Sequence, residues 1–152
     1  MFLTIHAASG ALIGLNTPHP FLAFVLSFIS HFVLDLVPHG DETIGENFKK
    51  GTLTIKHLGI ATSDIFLTIL TTLLIIFLNS SSNPISVALG IIGGLFPDLI
   101  QMLYLYSRHP WFKNFYDLHQ ALHYTQGQFQ MRLRYGLLFQ AVILIFLLFI
   151  AL

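Results

Sequence analysis

The stretch from Ile85 to Tyr106, ISVALGIIGGLFPDLIQMLYLY, holds a single charged residue, Asp98. A bilayer crossing needs about 20 predominantly apolar residues. The stretch is therefore read as a transmembrane helix, and one that carries an acid into the membrane. Two more stretches, 58–78 and 135–152, have the same length and character. Composition agrees: of 152 residues, 55% are hydrophobic and 9% charged, against roughly 25% charged in an average soluble domain. Seven Lys and Arg balance seven Asp and Glu, so no basic field exists to hold a nucleic-acid backbone, and nucleic-acid binding is excluded. With no cysteine, disulfides, thiolate nucleophiles and Cys-ligated metals are excluded too. Eight histidines remain, and any borderline metal here must use imidazole and carboxylate.

Outward from the central stretch, 20–37 is long enough to form a fourth crossing. Residues 1–15 are fewer and run into Asn16-Thr17-Pro18-His19-Pro20, a breaker cluster that turns the chain back; they predict a short or re-entrant helix. No signal peptide is read there, because a positive leading region is missing. Polar segments at 38–56 and 107–134 hold all the cations: Lys49, Lys50, Lys56, Arg108, Lys113, Arg132 and Arg134. The positive-inside bias puts both segments on the cytoplasmic side and the uncharged 79–84 turn outside. Within the second segment, 111–124 (WFKNFYDLHQALHY) predicts an amphipathic helix at the interface. The fold class is an all-α, single-domain membrane bundle, 1–152, of four to five membrane segments plus that interfacial helix.

Ionisable side chains inside membrane helices commonly face the protein interior and mark function. His31 and Asp35 stand four apart, as do His119 and His123, so each pair shares a helix face. Two such rails on separate helices are a common way to present ligands to a metal between them. Asp98 follows Pro97, where irregular backbone is expected to line a cavity. His6, Asp64, His39 and Asp41 complete the set, and by counting crossings these residues close at one depth near the cytoplasmic boundary. His19, His57 and His109 sit beside loops and are read as hydrogen-bonding neighbours, and Asp117, Glu42 and Glu46 as solvated.

HAASGALIG at the N-terminus, HFVLDL, GLFPDLI and HQALHY together resemble the motif set of the membrane-bound metal-dependent hydrolases, also described as LexA-binding inner-membrane-associated hydrolases, with a distant likeness to zinc-dependent phospholipase C. The resemblance implies a helical membrane domain with metal ligands at His6, His31, Asp35, Asp98, His119 and His123. Here the motifs come in permuted order, and Gln120 stands where the family has Arg. The chain is also similar to the ceramidase and progestin-receptor-like membrane hydrolases, whose motif set would fall on Ser27, His31, Asp64 or Asp98, His119 and His123, although those proteins have seven spans.

Both resemblances imply metal-dependent hydrolysis. The expectation is one or two divalent ions, zinc foremost, in an enzyme of a prokaryotic inner membrane whose site faces the cytoplasm. Its substrate would be a membrane lipid or other amphiphile with an ester or phosphoester bond. A carboxylate outside the ligand set, Asp41 or Asp64, would take the proton; the alternative for Asp64 is to cap a helix or pair with a basic residue. The competing readings are a small metal-ion or proton transporter, which needs a polar track beyond Thr68, Thr71 and Thr72, and a partner-binding subunit packed through Gly90, Gly93 and Gly94.

Overall fold

The computed structural model describes residues 1–40, 44, 47, 50–52, 54–79, 83–124 and 131–151, with the backbone alone at 123 and 124. Among them are helices α1 (Leu3–Asn16), α2 (Pro20–Asp35), α3 (Ile55–Leu78), α4 (Pro84–Ser107), α5 (Pro110–Tyr124) and α6 (Leu133–Ala151), and no strand. The starts are chemically marked. Proline opens α2 and α4, where its missing N–H has no helical partner to lose. Asn83 accepts from Ile85 and Ser86 at the head of α4, and Thr54 and His57 cap α3 reciprocally.

Three helices, α3, α4 and α6, are long and apolar enough to cross a membrane, at 24, 24 and 19 residues. They coincide with the three stretches read from hydropathy. α1 and α2 have only 14 and 16 residues, about 21 and 24 Å at the helical rise, so the expected fourth crossing over 20–37 falls short. It stops at Asp35 because Pro38 follows closely, and a proline disfavours helical backbone in the residue before it.

α1 is the axis of the bundle: it packs against α2, α3, α4 and α6. Its small residues permit this, with Ala7, Ala8 and Ala11 fully buried. It runs antiparallel to α4, with Gly10 opposite Gly90, Gly14 opposite Ser86 and Val87, and His6 opposite Gly94. A Cβ at Gly10, Gly90 or Gly94 would collide with the facing carbonyl. This is the close approach that small residues four apart allow between membrane helices. Gly93 meets the Phe24 backbone in the same way, which brings α2 onto α4.

Polarity is arranged inside out. Asp64, Thr68 and Thr71 of α3 and Gln140 of α6 are buried, while Phe66, Leu73, Phe77, Val142, Ile145 and Phe149 on the same helices face outward. The pattern is the one a lipid solvent would select, because lipid cannot satisfy polar groups. The irregular backbone expected at Asp98 is not found: α4 continues through Pro97.

Gly90→Val should therefore destabilise the bundle by about 1–3 kcal/mol or more, as overpacking of a tight contact does. Gly59, whose Cβ position is open, should accept Ala with a gain of up to about 1 kcal/mol. Thermal unfolding of the two variants in detergent checks both signs.

Candidate metal centre

Four helices bring His and Asp side chains to one place. α2 supplies His31 and Asp35 one turn apart, α4 supplies Asp98, α5 supplies His119 and α1 supplies His6. His31 Nε2 lies 3.1 Å from Asp35 Oδ2 and 3.8 Å from Asp98 Oδ1. His119 Nε2 lies 3.6 and 3.8 Å from the same two oxygens, and the two Nε2 atoms are 3.0 Å apart. A tetrahedral zinc site with ligands at about 2.0–2.2 Å has donor–donor edges of about 3.3–3.6 Å. The observed spacings bracket that range.

The orientation of the imidazoles says more than their proximity. His31 Nδ1 donates to the Gly94 carbonyl at 2.8 Å. His119 Nδ1 donates to Gln101 Oε1 in a short contact. That amide oxygen also accepts from Gln120 Nε2 at 2.7 Å, which fixes it as the acceptor. With each Nδ1 donating, the two Nε2 atoms meet 3.0 Å apart beside Asp35. Two protonation states fit this contact: one ring cationic and donating Nε2–H to the other, or both rings neutral with Nε2 lone pairs that a shared cation would join. Acceptors on the far ring nitrogen, such as these, are what hold metal-ligating histidines in one tautomer.

Asp35 joins this cluster to a second group of polar atoms. Its Oδ2 faces His31 and His119, while its Oδ1 receives His6 Nε2 at 3.1 Å and the Met1 nitrogen at 2.6 Å. The Met1 nitrogen also meets His39 Nε2 at 2.9 Å, and His39 Nδ1 donates to Val37 O at 2.6 Å. The His6 ring stacks on His31 at 3.8 Å. Its Nδ1 is buried with no hydrogen-bond partner among the described residues. Two triads can bring donor atoms within 4.8 Å of one another: His31 with Asp35 and His119, and His6 with His31 and Asp98.

Other expected residues stand elsewhere. Asp64 serves the head of α1: its oxygens accept from Leu3 N at 2.8 Å, Thr4 N at 3.1 Å and Thr4 Oγ1 at 2.6 Å. It thus satisfies first-turn donors that a buried helix start would leave orphaned, which fits the capping alternative for this residue. Asp41 and the His123 side chain lie outside the described residues. Ser27, required by the ceramidase-like reading, is buried with its hydroxyl on Gly10 O. His19, His57 and His109 each accept from a backbone N–H near the start of a helix. The exposed Asp117 pairs with Lys113 at 2.6 Å and pushes that ammonium's pKa up.

Sequence reasoning passed over Gln101 and Gln140. Gln101 carried a signal, since it lies three residues beyond Asp98 on the same helix face. Gln140 carried another, as a polar side chain within an apolar span. It donates to His39 O and accepts from Phe2 N, both at 2.8 Å.

If Asp64 caps α1, Asp64→Ala should lower stability by about 1–3 kcal/mol, the cost of an unsatisfied buried donor, and leave divalent-metal binding by the folded fraction unchanged. Thermal unfolding and metal titration on the same preparation separate this role from one in the centre, which would remove both together.

No family model matches the chain, and no curated protein or solved structure matches it either.

Proposed function

We propose that the chain is a membrane-embedded, metal-dependent hydrolase whose cation is held among His31, Asp35, His119 and Asp98. One observation carries the reading: two buried imidazoles, each with its Nδ1–H already committed, bring their Nε2 atoms within 3.0 Å of each other between two carboxylates. Imidazole and carboxylate donors suit zinc. A divalent ion in such a site supplies Lewis acidity toward a scissile ester or phosphoester and lowers the pKa of a bound water toward 7.

The residues divide the remaining tasks. Gly94 O and Gln101 hold the imidazoles in the ligating tautomer. Asp35 neutralises charge on two sides at once, and stacked His6 closes the site from α1. The apolar outer faces of α3, α4 and α6 set the site in a membrane, which favours an amphiphilic, lipid-like substrate. In this reading the α1–α2 hairpin adds two short membrane segments, and α5 lies at the interface, with Trp111 and Leu118 exposed beside the Lys113–Asp117 pair. In this reading the membrane is a prokaryotic inner membrane, and the positive-inside bias of the cationic segments supports a site on its cytoplasmic side. Transport finds less support. Thr68 and Thr72 spend their hydroxyls on carbonyls of their own helix, and a buried polar run of that kind is no continuous path.

Each donor's worth depends on the others being present, so losses should not add. His31→Ala/Asp35→Ala and His119→Ala should each abolish most zinc binding, and the combination should look like either alone. His109→Ala, a change at an exposed helix cap, should keep full metal content and lose no more than about 1 kcal/mol of stability. Metal analysis of detergent-purified protein checks this. Full zinc in either site variant, or an equal loss in the control, would contradict the assignment.

A further inference from the structure

The four candidate donors are not equivalent. His31, Asp35 and His119 have side chains 0–1% exposed, whereas that of Asp98 is 19% exposed. The first three are also gripped from behind: His31 by Gly94 O, His119 by Gln101, and Asp35 by His6 and the Met1 nitrogen. Among the described residues, the carboxylate of Asp98 has two 3.8 Å approaches, to the imidazoles of His31 and His119, and lies within 4.8 Å of a His6 nitrogen. It is the most distant, least supported and most accessible member of the set.

A cation enclosed by four protein donors has no place for a reactant, and hydrolytic sites keep one position open. The geometry points to Asp98 as an exchangeable donor: His31, Asp35 and His119 hold the cation, and Asp98 yields its place to an incoming anionic oxygen ligand, a carboxylate or phosphate oxygen. This rests on the metal-centre reading above and adds where that centre opens. Met102, one turn beyond Asp98 on the same face, is 47% exposed. An apolar chain attached to the incoming oxygen therefore has a surface to follow away from the metal, while the three buried donors remain covered.

The test uses the full chain in detergent, loaded with cobalt(II), whose visible spectrum reports coordination, with acetate as the external oxygen probe. Wild type should bind one cobalt and respond to acetate only at high concentration. Asp98→Ala should keep its cobalt with affinity lowered by about 10–100-fold, the range seen when a supporting partner rather than a principal ligand is lost. Acetate should then change its spectrum at low concentration and restore the wild-type form. Asp98→Asn, which preserves shape, serves as the second variant if Ala impairs folding, and His31→Ala should bind no cobalt. Loss of cobalt from the folded Asp98 variants as complete as in His31→Ala would overturn the proposal and leave the metal reading standing. Retained cobalt with a spectrum indifferent to acetate would overturn it as well. Failure of wild type to bind cobalt would instead remove the metal reading on which it rests.

Discussion

A carboxylate buried to 1% exposure cannot remain uncompensated inside an apolar helical bundle, and Asp35 meets that constraint by collecting partners from around it. His31 stands on its own helix, His119 comes from α5, His6 from α1, and the Met1 nitrogen from the residues preceding α1. Each partner requires its helix to lie where it does. The glycine contacts between α1 and α4 and between α2 and α4 bring these helices close enough for the side chains to meet. Packing and polarity are thus two sides of one arrangement: small residues draw the helices together, and the charges they enclose must then satisfy one another.

The buried start of α1 follows from the same closeness. A helix that begins inside a bundle leaves its first N–H groups away from water, and other elements must supply acceptors. Gln140 of α6 takes Phe2 N, and Asp64 of α3 takes Leu3 N and Thr4 N. These contacts explain why two otherwise apolar helices carry polar residues on the sides facing α1. They also tie α3 and α6, whose other faces are open to lipid, to the helix that anchors the site.

Much of this was legible in the sequence. Length and apolarity marked α3, α4 and α6, because a spanning helix is a one-dimensional property of its residues. His31 and Asp35 were legible through their spacing, and Asp98 through its charge in an apolar stretch; the structure brings both to His119 and His6. The partners of Asp64 were not legible. Its capping role depends on which helix end arrives beside it, a consequence of register between α1 and α3 that no local pattern encodes. Gln101 was overlooked because an uncharged amide in a span attracts less attention than an acid, although its helical phase to Asp98 was available. The stop of α2 at Asp35 is signalled by Pro38, against the continuous hydropathy of 20–37.

The central claim is that the facing Nε2 atoms of His31 and His119 are metal ligands. X-ray absorption at the zinc edge of the zinc-loaded, purified chain addresses it directly. The account predicts stoichiometric zinc with a nitrogen and oxygen shell at about 2.0–2.2 Å and the outer-shell scattering of two imidazoles, reduced to one in His119→Ala wherever zinc is retained. Zinc bound without imidazole scattering, or no stoichiometric zinc at neutral pH, would contradict it.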